Sequence, residues 1–235
     1  MNATKETYFE DAYAEQMKLL DVTEELHSAL VPFLKETRIG TILDHPFLRY
    51  PYIPKMNAII NHSYKKIKTA SSQALDDKDY DSYFSWIQKE WRLRVFADIV
   101  APLLDPKTYY KMLADQWMHC ENIWQYQELL RDLLNEYPEY QKYMMSRYAR
   151  AKLASMPETL TIYRGASERN KHSLSWTLSK DVAQYFVDRY NNIHEYEGIP
   201  SQVYTATCKK SDVIALLLAR REQEVIVDPK MIAYK

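Results

Sequence analysis

From Met1 to about Leu34 the apolar residues Met17, Leu20, Leu26, Leu30 and Leu34 fall mostly three or four apart. That is the spacing of one helical face, and it predicts a helix. The stretch from Arg38 to Pro54 holds Gly40, Pro46, Pro51 and Pro54 and reads as an irregular connector. Helical spacing then dominates to Ala154, with candidate helices at Met56–Ala74, Asp81–Leu104, Pro106–His119, Asn122–Leu134 and Glu139–Leu153. Breaks are expected at Asp76-Asp77, at Asp105-Pro106, where proline suits a first helical position, and near Pro138. After Pro157 the texture changes to short β-branched segments: Leu160–Tyr163, Leu174–Thr177, Gln202–Cys208, Val213–Leu217 and Glu222–Val227. One helix interrupts them, with Ser179 as N-cap, Asp181 in its first turn, and Val182, Tyr185, Phe186 and Arg189 following. The pattern predicts an α+β protein, a helical region over residues 1–155 packed on a mostly-β region over 156–235, or one integrated domain of both.

Composition narrows the classes. With 46% hydrophobic and 27% charged residues, the 235-residue chain has the make-up of a globular protein with a real core. The longest apolar run, Val213 to Ala219, is too short to cross a bilayer, and the first 20 residues carry no apolar signal-peptide core. Two cysteines, Cys120 and Cys208, offer no disulfide framework, so a reduced cytoplasmic setting is expected, with no membrane partner. Net charge is −1, which gives no overall pull toward nucleic acid. Residues 150–235 hold 13 Lys and Arg against 10 Asp and Glu, and residues 1–149 hold 18 against 22, an asymmetry that permits a nucleic-acid substrate without requiring one.

Candidate chemistry begins at Leu160-Thr161-Ile162-Tyr163-Arg164-Gly165. The chain has only three glycines, and one of them directly follows an arginine at a predicted strand end. Glycine permits close backbone approach or positive φ, and arginine offers a rigid fork of donors suited to phosphate. In Ser175-Trp176-Thr177 strand alternation puts Ser175 and Thr177 on one face. In Glu222-Gln223-Glu224 the same alternation pairs the two carboxylates at the opening of a strand. Singly, each has a plain reading: a turn, a solvated strand face, an exposed strand start. Trp86, Trp91, Trp117 and Trp124 read first as helix-packing residues, and Glu121-Asn122 as a helix cap. His119 beside Cys120 has no partner pair at zinc spacing, so no metal is expected. No dinucleotide-binding or Walker glycine pattern occurs.

In the order arginine, serine, glutamates, these pieces resemble a mono-ADP-ribosyltransferase of the arginine–serine–glutamate class. Tyr163-Arg164-Gly165, Ser175-Trp176-Thr177-Leu178-Ser179 with the helix after it, and Arg221-Glu222-Gln223-Glu224-Val225-Ile226-Val227-Asp228-Pro229 carry the likeness, over roughly residues 157–230. A second, looser likeness runs from Trp117-Met118-His119-Cys120-Glu121-Asn122 through Met144-Met145 to Tyr163. It points to prophage-associated toxins of toxin–antitoxin and toxin–antitoxin–chaperone phage-defence systems.

The resemblance implies an ADP-ribosyltransferase-like split β-sandwich that takes NAD as substrate and needs no metal. It implies that Glu224 stabilises the oxocarbenium-like ribose, that Glu222 orients or deprotonates the acceptor, and that Ser175 positions Glu224. Arg164 would pair with the NAD phosphates, and Gly165, Thr177 and Tyr163 would complete the cofactor site. Arg220 and Arg221 would meet the acceptor or lie in solvent. The implied acceptor is RNA, modified so as to block translation, with an antitoxin protein as a further partner. Transfer to a protein arginine, hydrolysis of NAD and a non-catalytic interaction module are the alternatives.

Overall fold

The proline-bearing stretch expected to be irregular is a sheet. In the computed structural model, which describes residues 17–120, 123–193, 199–218 and 222–235, three antiparallel strands follow one another: β1 (Leu34–Thr37), β2 (Gly40–His45) and β3 (Leu48–Pro51). The prolines sit where a strand tolerates them, Pro46 in the β2–β3 turn, Pro51 at the end of β3 and Pro54 opening a 3₁₀ turn. Gly40 supplies the positive φ, +116°, that closes the β1–β2 hairpin. The expected helix reaching Leu34 is likewise absent beyond residue 19. Leu26 and Leu30 instead belong to an irregular segment and are buried with Leu43, Leu48, Ile60 and Tyr64. The leucines are thus buried by the sheet and the next helix together, without forming a helix of their own.

That next helix, α1 (Asn57–Asp76), lies close to the expected Met56–Ala74 and buries Asn57, Ala58, Ile60, Asn61, Tyr64, Ser71 and Ala74. Asn61 fixes the preceding segment to it: its Oδ1 accepts from His27 N at 2.8 Å, and its Nδ2 donates to Glu25 O and Glu24 Oε1. The expected long helix Asp81–Leu104 is broken into α2 (Tyr80–Ser85), a 3₁₀ turn at Lys89–Trp91, a helical turn at Arg92–Val95, a π-helical turn at Phe96–Val100 and a 3₁₀ turn at Ala101–Leu103.

The chain divides into two compact units, Met1–Val95 and Phe96–Lys235. The change of texture near residue 155 is thus a change of secondary structure inside the second unit. Helices α3 (Pro106–His119), α4 (Gln127–Asn135) and α5 (Arg147–Ala154) belong with the C-terminal sheet, and Asn122 of the expected Asn122–Leu134 helix lies outside the described residues. The single helix expected over Glu139–Leu153 divides into a 3₁₀ run, Pro138–Met144, and α5. Asp105 caps α3 by accepting from Lys107 N and Thr108 N, with Pro106 at the first helical position as predicted. The buried hydroxyls of Tyr109 and Tyr110 donate to Leu133 O and Leu134 O, satisfying two end carbonyls of α4 and locking the two helices together. Burial raises the Tyr109 phenol well above its ordinary range, so it stays a donor.

The second sheet is antiparallel, with six strands in the order β7-β8-β5-β4-β6-β9. These are β4 (Thr159–Ala166), β5 (Ser175–Thr177), β6 (Gln202–Lys209), β7 (Val213–Leu217), β8 (Glu224–Val227) and β9 (Ile232–Tyr234). Leu160, Ile162, Trp176, Ala206, Leu216, Val225 and Val227 form its core. Helix α6 (Lys180–Ile193) starts at the predicted N-cap, Ser179 Oγ accepting from Val182 N, and lies on β4 at Gly165. A β-carbon at Gly165 would stand 2.1 Å from the Ala183 carbonyl oxygen.

Two outcomes follow. Gly165→Ala should lower stability by about 2 kcal/mol or more, since backbone must shift to admit the methyl group; a denaturant melt measures it. In the first unit His45 is buried against Phe33, Phe47 and Tyr64, and its Nδ1 accepts from Phe47 N. Burial, with Lys68 nearby, pushes its pKa down from 6.5 to about 4. The unfolded chain therefore binds the proton first as pH falls. The stability His45 contributes is complete above 6.5 and is lost between 6.5 and 4, on the order of 2–3 kcal/mol. His45→Asn, which keeps an acceptor but does not titrate, should flatten that acid limb in pH-dependent melts.

Candidate functional site

Three neighbouring strands, β8, β5 and β4, carry Glu224, Ser175 and Arg164. The register sets Tyr163 opposite Thr177, and Thr177 opposite Glu224, a row of three across the sheet. Ser175 stands opposite Ile226, so Glu224 is its diagonal neighbour on the same face. Across that diagonal the Ser175 hydroxyl donates to Glu224 Oε1 at 2.5 Å. A second donor meets the same oxygen: the Trp117 indole N–H, at 2.8 Å, from α3. Trp117 is fully buried, one of a stripe with Tyr110, Leu113 and Ala114 on the packed face of α3. The tyrosine bonds to α4 hold that stripe in place, and α4 in turn steadies β5, because Gln127 Oε1 accepts from Leu174 N.

Arg164 joins the group through Ser175's backbone. β4 and β5 share a single residue pair, Tyr163 with Thr177. Just past it the Arg164 guanidinium spans the strands, donating from Nη1 to Ser175 O at 2.6 Å and from Nε to Asn170 O at 3.1 Å. The residue keeps some accessible surface while its charged end is desolvated. That burial pushes its pKa down to about 10, opposed by the nearby Tyr190, Glu224 and Tyr234, and it remains a cation at neutral pH. Two of its five N–H donors are committed to backbone carbonyls, one in the β4–β5 loop and one at the start of β5.

The remaining sequence candidates fare differently. Thr177 is buried, and its Oγ1 donates to Glu222 O and accepts from Ser179 N. It therefore joins the turn before β8 to the start of α6, beside Glu224 in the register. The expected strand over Glu222–Val227 is corrected to Glu224–Val227. Gln223 has φ +46°, which breaks strand alternation, so Glu222 lies in the preceding turn and does not share a strand face with Glu224. Gly165 has no positive φ, and the space its missing side chain leaves is filled by the Ala183 and Val187 backbone, so helix packing by itself accounts for a glycine there. Arg220 and Arg221 lie outside the described residues, as do Glu121 and Asn122.

Sequence reasoning underrated Trp117, reading it first as a packing residue. It is one, yet its indole nitrogen is spent on the acid of another motif 107 residues away. Asn170, whose carbonyl receives Arg164, gave no signal. Compared with family models, curated proteins and solved structures, the chain matches none.

The geometry yields a thermodynamic outcome. Ser175→Ala and Trp117→Phe each remove one donor from a charged acceptor, costing about 1–3 kcal/mol apiece. The two costs should not simply add, because both donors act on one oxygen; a double-mutant cycle by chemical denaturation measures the coupling.

Proposed function

We propose that this chain is an NAD-dependent mono-ADP-ribosyltransferase whose essential carboxylate is Glu224. The observation that carries the reading is the Ser175–Glu224 hydrogen bond, formed between adjacent strands with the Arg164 strand beside them, as the arginine–serine–glutamate likeness requires.

The chemistry suits those groups. Nicotinamide leaves NAD as a neutral ring carrying the electron pair of the C1′–N bond, so no general acid is needed. What remains to be stabilised is positive charge on the ribose. A carboxylate fixed by two donors on one oxygen meets that charge without reorganising. Ser175 and Trp117 are positioning residues on this view. Arg164 keeps three N–H donors for the pyrophosphate. The acceptor's lone pair then attacks C1′ and its proton passes to a base, a task for which Glu222, in the turn before β8, is the candidate. RNA is the acceptor we favour, and the associated toxin role rests on the resemblance alone.

A second reading, a binding module without turnover, draws on one observation. Arg164 already serves two backbone carbonyls, as a purely structural arginine would.

Incubation with adenylate-labelled NAD and cell lysate separates these readings. Nicotinamide should be released, and label should enter a product that ribonuclease destroys and protease spares; the converse pattern would move the acceptor to protein. Glu224→Gln should lower nicotinamide release by at least about a thousandfold with the fold retained by circular dichroism. Ser175→Ala should lower kcat about tenfold or more with KM little changed. Release from the Glu224→Gln variant equal to wild type would end the transferase reading, and no release from wild type would favour the binding module.

A further inference from the structure

A recess of about 780 Å³ lies in the second unit between α3, the start of α5 and the end of β7, within the usual size range of ligand pockets. It does not open on Glu224. Leu217 lines it, however, and Leu217 is the register partner of Glu224, so the recess abuts the strand that carries the acid. Paired backbones there are about 5 Å apart.

The lining separates by chemistry. Leu216, Leu217, Leu218, Met118, Met144 and Met145 give it an apolar floor. Its charged groups are Lys107, Lys111, Arg147 and Arg150 against one acid, Asp115. That acid faces His119, at 3.3 Å, and Gln116 Nε2 donates to it at 2.8 Å. Arg150 is occupied in donating to Lys142 O and Met145 O. Lys107, Lys111 and Arg147 have no carboxylate partner among the described residues. Tyr148, 70% exposed, presents an aromatic ring among these cations, and Lys107 stands over the ring of Tyr143. The chain as a whole is slightly acidic, so this is local enrichment and not a basic protein's background.

We propose that this recess holds the acceptor as a single-stranded nucleic acid, its phosphates on Lys107, Lys111 and Arg147 and its bases on Tyr148 and the apolar floor. The assignment rests on the transferase reading for its purpose, though not for its chemistry. Cations at a rim with an aromatic ring and an apolar bed are what unpaired bases on a charged backbone require. A duplex hides its base faces and has no use for such a floor. An acidic peptide would use the cations and leave the exposed ring without a stacking partner.

Fluorescence anisotropy of the full chain with a fluorescein-labelled, mixed-sequence oligoribonucleotide tests this, without NAD. Wild type should bind, and the Lys111→Glu/Arg147→Glu pair should bind at least about tenfold more weakly. The neutral pair Lys111→Gln/Arg147→Gln should flatten the dependence of log K on log salt by about 1.4, near 0.7 for each phosphate that is no longer neutralised. Tyr148→Ala should weaken binding severalfold with the salt slope unchanged. Melting curves check that each variant is folded. Failure of wild type to bind, equal binding by the charge variants, or equal competition by polyglutamate of matched charge would each overturn the proposal. Nicotinamide release by the same proteins keeps the two claims apart. Strand binding without release would sink the transferase and leave the recess assigned, whereas release with unaltered binding in the charge variants would do the reverse.

Discussion

The second unit depends on what is done with one oxygen atom. Glu224 Oε1 takes a hydroxyl donor from the next strand and an indole donor from a helix far earlier in the chain. Glu224 is itself half-buried, and both donors reach that oxygen only when the sheet and the helix α3 are in place. That condition runs outward. Trp117 is held by the stripe that Tyr110 continues, Tyr110 by the end of α4, and α4 by its bond to the backbone just before β5. The circuit returns to Ser175, the other donor.

Much of this is legible in the sequence. Pro106–His119 and Val213–Leu217 end where local pattern puts them, because capping aspartate, N1 proline and a dense apolar run are local signals. The motif residues Arg164, Ser175 and Glu224 are legible as types in order, and their strands prove to be neighbours. What local pattern could not supply was pairing. Leu34–Thr37 and Gly40–His45 look irregular singly and become a hairpin only together. β9, Ile232–Tyr234, is three residues long and exists because β6 offers it an edge.

The site's errors have the same root. Glu222 and Glu224 are two apart, and alternation would align them, but alternation assumes extended backbone at Gln223. Gly165 drew notice by its rarity, and local pattern gave no hint of the helix from elsewhere in the fold that packs on it. Trp117 carries two duties, packing and donation, and only the first has a sequence signature. The second requires knowing which acid stands at the indole nitrogen.

The thin connection between β4 and β5 has a mechanical consequence. Three strands, β7, β8 and β5, are laced together by several residue pairs, as are β4, β6 and β9, yet among the described residues the backbone ladder joins the two triplets at one pair, Tyr163 with Thr177, beside which the guanidinium of Arg164 reaches across. Trp176 of one triplet also meets Tyr234 of the other edge to face, so the seam is closed by side chains more than by a backbone ladder. Arg164 lies on one bank and Glu224 with its hydroxyl donor on the other, so a wedge driven into the seam would part the cation from the acid while leaving the serine and the glutamate travelling together.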